Sequence, residues 1–344
     1  MILQLHPTLQ CNLRCLHCYS SSGPGVQQTL DTELALDVVT DAAQIGYNIL
    51  SISGGEPLVY RDLLRILSHA RSCGMKTQIV TNGMLLTTRR IREFEPVLDL
   101  LAISLDGPPT LHNEVRQSPR AFGRMASHMA DLKNSSIKFG IIYTLTRRSA
   151  EFLPWAADFA FLNRASLFQI HPLELFGRAK SLMAHDKSDE ESLAKAYIAA
   201  FIFRDRYPGM QIQIDLVHRD TIIAQGRIVY GVVSSDASVN GAGGLGEQFS
   251  PLVVQADGSV VPMAHGFSKE YEVCNLRFER LITRWPTYLN GGGFDRFRRL
   301  VDEACGTLTM MRSQIPLVNW HEWIGKWSHA RRPSTAHLQE AATS

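Results

Sequence analysis

From Gly46 to about residue 175 a single unit recurs: a short apolar strand, a turn with glycine or proline, then an amphipathic helix. "NILSIS", "KTQIV", "LLAISL", "KFGIIYTL" and "SLFQIHP" read as strands, with "ILQLHPT" ahead of them as the first. Each is short and rich in Ile, Leu or Val, the pattern of strands buried on both faces. In the helix that follows the first strand, Leu34, Val38, Ala42 and Ile45 share a face. Asp31 or Thr32 can cap its start and Gly46 suits its stop. "DLLRILSHARSCG" and "TTRRIREFEPVL" repeat the pattern. Such alternation with short links predicts a parallel sheet with right-handed crossovers. Six strands can close part of a barrel or remain an open sheet, and periodicity leaves both open.

Bulk properties narrow the function classes. The chain has 344 residues, 45% hydrophobic and 20% charged, an ordinary globular balance. No apolar run approaches the ~20 residues of a membrane span. "MILQLHPTLQ" lacks the basic flank and apolar core of a signal peptide, so a cytoplasmic location is expected. Net charge is +2, with basic residues scattered in doublets such as Arg89–Arg90 and Arg298–Arg299. Nucleic-acid binding would need a concentrated basic face, so no nucleic-acid partner is expected.

Beyond Ser181 the rhythm changes. "SDEESLAKAYIAAFIFRDRYPGM" reads as a long helix with an acidic start, and "QIQIDLV" as a strand. Residues 232–246 are rich in glycine and serine and read as a loop. "SPLVVQADGSVVPM" is a hairpin turning at Asp257–Gly258. The division expected is a core over 1–210, a small second module over 211–329 and a loose tail over 330–344.

Three of the 6 cysteines stand together in "CNLRCLHCY": Cys11, Cys15 and Cys18. In a reducing compartment such a cluster indicates metal or catalysis rather than disulfides. Structural zinc wants four ligands. His17, squeezed between two ligating thiols, would struggle to complete a tetrahedron. Three thiolates on a short loop suit a cubane iron–sulfur cluster better, with one iron left open for a substrate or cofactor. Cys73 is most simply a small core residue.

C-x3-C-x2-C after a first strand, then "SGGEP" after a second, resembles the radical S-adenosylmethionine (radical SAM) enzymes, over about Ile2 to Lys180. The resemblance implies a partial (β/α)6 TIM-like barrel, here an α/β fold with a small α+β C-terminal extension. It implies a 4Fe-4S cluster on Cys11, Cys15 and Cys18, whose open iron chelates SAM. Reductive cleavage then yields a 5′-deoxyadenosyl radical that abstracts hydrogen. It further implies that Gly54, Gly55 and Glu56 meet the SAM methionine, the carboxylate accepting from its ammonium. Thr81 and Asn82 of "TNG", and Ser104 and Asp106 of "SLDGP", are implied near the methionine and ribose. As plain sequence, Asn-Gly and Asp-Gly are also ordinary turn formers. His17 stands where the family has an aromatic near the adenine.

"PLVVQADGSVVPM…VCNL" resembles the SPASM or Twitch extensions that carry auxiliary clusters, but Met263 replaces an expected ligand, and only Cys274 and Cys305 remain. Two thiols cannot fill a four-thiolate site, so a degenerate module is expected. Gly241, Gly243 and Gly246 satisfy G-x-G-x-x-G but lack the flanking strand and helix of a dinucleotide site. Trp320, His321 and Trp323 can line a cavity or pack a helix. The "HPLELFGRA" segment, His171 to Ala179, resembles one found in peptide-modifying members. The favoured substrate is therefore a ribosomally made peptide. A small molecule or cofactor precursor is the alternative, and a non-catalytic metal-binding or interaction protein is the rival of another class. Implied partners are an electron donor such as flavodoxin or ferredoxin and, with no separate leader-binding domain ahead of the first strand, a leader-peptide-binding protein. Tyr143 is a conceivable radical quencher.

Overall fold

The computed structural model describes residues 1–232, 249–310 and 316–330. Most of the glycine- and serine-rich stretch, Gly241, Gly243 and Gly246 included, and nearly all of the expected tail lie outside the described residues. Among those described, twelve strands form: β1 (Ile2–Leu5), β2 (Ile49–Ile52), β3 (Lys76–Thr81), β4 (Leu100–Leu105), β5 (Lys138–Leu145), β6 (Leu167–Pro172), β7 (Gln211–Ile214), β8 (Val217–His218), β9 (Leu252–Val254), β10 (Ser259–Pro262), β11 (Cys274–Asn275) and β12 (Leu317–Val318). Ten make one sheet in the order β11-β10-β9-β1-β2-β3-β4-β5-β6-β7. It is parallel from β9 through β7, and its two end strands do not pair, which makes the barrel a partial one. β8 and β12 pair separately.

Local chemistry explains the helices. In α1 (Thr32–Ile45) the Asp31 side chain accepts from the Glu33 N–H, satisfying one orphan donor of the first turn. Gly46 closes the helix at φ +107°, a conformation that only glycine adopts without steric penalty. The apolar face Ala35, Val38, Val39, Ala42 and Ile45 is fully buried against the sheet. The segment "TTRRIREFEPVL" yields a shorter helix, Thr88–Phe94.

The strands depart from the expectation of two buried faces. Burial alternates along β2, β3 and β6: Leu50, Ile79 and Ile170 are sealed under helices, while Ser51, Gln78 and Gln169 keep partial exposure. Among the described residues, helices pack on β1, β3, β5 and β6. The concave side holds polar pairs, with Ser51 in register with Gln4 and Gln78, and Gln169 with Gln213. A partial barrel with a polar, accessible interior can receive a ligand at its strand ends.

The expected hairpin is present, Val254 opposite Val260, and it extends the sheet beyond β1, with Leu3 in register with Leu252. Tyr47 donates its hydroxyl to Phe249 O at 2.7 Å, and Ile2 N–H donates to Ser250 Oγ at 3.0 Å. Arg280 pairs with Asp41 and Asp37 of α1. Trp323 donates to Ala304 O at 3.0 Å and Trp320 packs edge-on against Tyr230, so these rings knit helices together. Among the described residues no helix is long and apolar enough to cross a membrane.

A candidate cluster and cofactor site at the strand ends

The cysteine loop leaves the C-terminal end of β1, the end where parallel barrels collect their chemistry. Cys11 and Cys15 are buried and Cys18 partly so. Burial dominates at two of the thiols: it pushes Cys11 up to about 12 and Cys15 to about 11, and the neighbouring Cys18 adds to both shifts. Buried thiols of this kind ionise only beside a compensating cation. Among the described residues no three His, Cys, Asp or Glu side chains converge on one metal ion. The donor set fits an iron–sulfur cluster and not a single zinc ion.

The segment after β2 lies on the same loop. At Gly54, φ is +113° and a Cβ would stand 2.7 Å from Thr8 O; at Gly55 it would collide with the Gln10 carbonyl. The missing side chains let Gly55 N–H donate to Thr8 O at 2.8 Å and Glu56 N–H to Gln10 O at 3.0 Å. The glycines therefore serve a close backbone approach to the chain entering the cysteine loop.

Glu56 is buried, and burial raises its pKa against three hydrogen bonds. Its Oε1 accepts from Leu58 N–H at 3.1 Å and Thr81 Oγ1–H at 2.7 Å, and its Oε2 from Asn82 N–H at 2.9 Å. It ties the ends of β2 and β3 together. Asn82 in turn donates to Asn12 Oδ1 at 2.9 Å inside the cysteine loop. Ser104 sits partly exposed on the concave face of β4.

Asp106, at the end of β4, is buried and receives Arg116 through Nε at 2.6 Å and Nη2 at 3.1 Å, with His17 Nε2 at 3.1 Å. Burial would raise its pKa, but Arg116 and His17 win and hold it well below the usual carboxylate range. Asp106 thus fixes His17 of the cysteine loop to the barrel.

Several residues at this site were not anticipated. Arg116 has no motif. Gly177 and Arg178 lie in the "FGRA" segment after β6, and they seat on the cysteine loop. Arg178 N–H donates to Cys18 O at 3.0 Å and its Nε–H to Cys15 O at 2.9 Å. Gly177, at φ +53°, packs so tightly on the Cys18 and Tyr19 carbonyls that a Cβ would collide with them. In the sequence, the signal for it is the glycine itself, inside the "HPLELFGRA" segment. Met263, Cys274 and Cys305 do not gather: Cys274 pairs within the sheet opposite Val260, and Cys305 lies in helix Gly293–Met310 against Gly226.

Residues 5–151 match the family model described as the Radical SAM superfamily. They are a radical SAM domain. Its cofactors are a 4Fe-4S cluster and SAM. Among curated relatives, "Fe-coproporphyrin III synthase" of Methanosarcina barkeri is 28% identical over 54% of this chain and 47% of its own length. "AdoMet-dependent heme synthase" of the same organism is 31% identical over 54% of this chain and 53% of its own. The chain thus spans about half the length of the curated relatives it matches. Among solved structures, native anSMEcpe with AdoMet and a Kp18Cys peptide superposes with TM-score 0.65 at 16% identity, covering 99% of each chain. Streptococcus suis SuiB with its precursor peptide SuiA gives 0.62 at 17%, covering 83% of this chain and 64% of that one. At such identities the likeness is one of fold.

Proposed function

We propose that Cys11, Cys15 and Cys18 hold the 4Fe-4S cluster and that the chain performs radical SAM chemistry on a small molecule. The observation that carries the cluster assignment is the gathering of three thiols on one loop, buttressed by Arg178 after β6 and by His17–Asp106 from β4. When bound, the cluster supplies the electron that splits SAM into methionine and a 5′-deoxyadenosyl radical. The protein's own residues shape the loop and keep it dry. Glu56, Thr81 and Asn82 with Gly54 and Gly55 frame the methionine side; Ser104, Asp106 and His17 frame the nucleoside side. An external flavodoxin- or ferredoxin-type donor reduces the cluster. Residues 1–210 form the core, and 211–329 a degenerate SPASM/Twitch-like extension that has lost its cluster.

Relatives near 30% identity carry names of tetrapyrrole enzymes, a pre-heme d1 synthase of Dinoroseobacter shibae among them. That supports a small-molecule substrate, and a carboxylated tetrapyrrole is the first to test. The "FGRA" segment, read from sequence as a peptide-enzyme signal, has a sufficient explanation in holding the cysteine loop. Peptide modification remains the second reading, favoured by the 99% mutual coverage with anSMEcpe, a fold bound to a peptide. Reduced, reconstituted protein given SAM should release 5′-deoxyadenosine; no release with an intact cluster counters the radical reading. A protein-free low-mass extract that stimulates release equally after protease treatment supports the small-molecule reading, and stimulation destroyed by protease supports the peptide one.

A further inference from the structure

Away from the cysteine loop, the ends of β6 and β7 meet the start of helix Trp320–His329, and ionisable side chains from all three converge. His171 lies on the concave face, in register with Thr144 of β5, its side chain 33% exposed. Its Nδ1 stands 2.7 Å from Asp215 Oδ2, and its Nε2 3.8 Å from Glu174 Oε1. Asp215 is buried and held by Gln169 Nε2 at 2.7 Å and Gln213 Nε2 at 3.4 Å, so both its oxygens are fixed in place.

An imidazole flanked by two carboxylates within 4 Å favours its charged form. Burial alone would lower the pKa of His171. The hydrogen bond to Asp215 and the charges of Glu174 and Asp215 overcome it and push the ring up to about 9. From the helix, His321 is half-buried, and desolvation drives it down to about 4, hence neutral. Glu322 is matched by Lys187 at 3.4 Å and Lys326 at 3.3 Å. With Nδ1 committed to Asp215, the Nε2–H of the imidazolium is the donor left over. The 3.8 Å to Glu174 is too long for a hydrogen bond. Glu174 Oε1 is itself buried and has no hydrogen-bond partner among the described residues. A buried polar atom beside an uncommitted cationic donor marks a place for a ligand atom.

We propose that Nε2 of His171 anchors a carboxylate of the substrate beside Glu174, with Asp215 as the residue that positions the imidazole. The inference rests on the small-molecule reading above and deepens it: the substrate is an organic anion. Burial pushes Glu174 up to about 7, with Glu322 and Asp215 adding and His171 opposing. Below that pH its carboxyl keeps a proton and donates to the same ligand oxygen, two acids sharing one proton. Affinity is highest below pH 7, weakens as Glu174 ionises, and is lost above about pH 9 as His171 discharges.

The full chain with its cluster rebuilt anaerobically is titrated with metal-free coproporphyrin III, read by the porphyrin's own fluorescence, and with its uncharged tetramethyl ester. The acid should bind and the ester should not. His171→Gln should weaken the acid at least tenfold. Asp215→Asn should bring the alkaline loss of binding down by more than one pH unit, which a merely structural role would not do. Glu174→Gln, a neutral donor at every pH, should keep binding and remove the step near pH 7. Equal binding of ester and acid, undiminished binding by the His171 variant, or no binding of the acid to the wild type overturns the proposal. Release of 5′-deoxyadenosine by the same preparation separates the two readings. Release without acid binding defeats the anchor alone, and acid binding without release defeats the radical reading alone.

Discussion

At the scale of the residue, the site is held by buried polar atoms whose partners are backbone groups of other strands. Glu56 is the clearest case, because its two oxygens accept three donors from the ends of β2 and β3. Glu56→Gln keeps the volume but turns an amide donor toward donors that now lose an acceptor. Leaving a buried group unsatisfied costs about 1–3 kcal/mol. The variant should therefore unfold at lower denaturant with an unchanged slope, and its SAM cleavage should fall because Asn82 and the Asn12 contact shift with it. Equal midpoints for the two proteins in urea would show that the carboxylate does not tie these strands. The "GGEP" stretch could be read as a candidate site segment because it follows the second strand, in the order in which the resembling family carries its motifs. The reason for the glycines was not legible, since it depends on Thr8 and Gln10 passing close by.

At the scale of the element, the cysteine loop is short, and the loop after β6 locks it. Gly177 and Arg178 meet the carbonyls of Cys15, Cys18 and Tyr19. Gly177→Ala puts a methyl group where those carbonyls stand, at a φ that alanine already resists. The loop, being the less packed partner, must yield. Iron bound after reconstitution should drop to under half of the wild-type amount, while far-ultraviolet circular dichroism stays unchanged; full iron loading would show that the two loops are independent. Strands β1 to β6 were readable because apolar periodicity is a local property. The concave face was not, because Ile142 or Val80 gives the same letters whether it faces a helix or an open barrel. Arg116 and Arg178 were invisible for another reason: the Arg178 contact joins residues 163 apart, and no local pattern encodes it.

At the scale of the whole molecule, two features decide stability. The first is the pair beside β6. Glu174 has a folded pKa raised from 4.5 to about 7, so its contribution is fully favourable below 4.5 and is lost as pH rises through 7. His171, raised from 6.5 to about 9, contributes fully below 6.5 and loses that contribution as pH rises through 9. Both slopes run the same way, so this pair lowers the stability of the metal-free chain from pH 5 to 8.5, while His112, His265 and His321, each held down to about 4 by burial, raise it up to about pH 6.5. Glu174→Gln should flatten the acidic half of that decline and leave the alkaline half. Urea midpoints of the wild type and of Glu174→Gln across that range check it, and a difference between the two that stays constant with pH would contradict the Glu174 shift.

The second feature is the continuity of the sheet. Strand β9 comes some two hundred residues after β2, yet it flanks β1 on the opposite side, in parallel register, and takes the His6 N–H on Val254 O at 2.8 Å. Leu252, Val253 and Val254 are fully buried, and Phe249 packs with Trp285, Tyr288 and Phe297 over Tyr47. Each such side chain withdraws apolar surface worth about 1.5–3 kcal/mol. A chain ending at residue 248 therefore loses more than an appendage. It exposes the backbone edge of β1, the strand that leads directly into the cysteines, and leaves Asp37 and Asp41 of α1 without Arg280. Bare edges of this kind pair with other chains. The truncated protein should collect in the insoluble fraction or elute as large aggregates, and any soluble remainder should bind little iron, because the entry to its cysteine loop is no longer fixed. A monomeric truncation that reconstitutes a full cluster would mean that β2 alone holds β1, and that the C-terminal strands serve the substrate and not the fold.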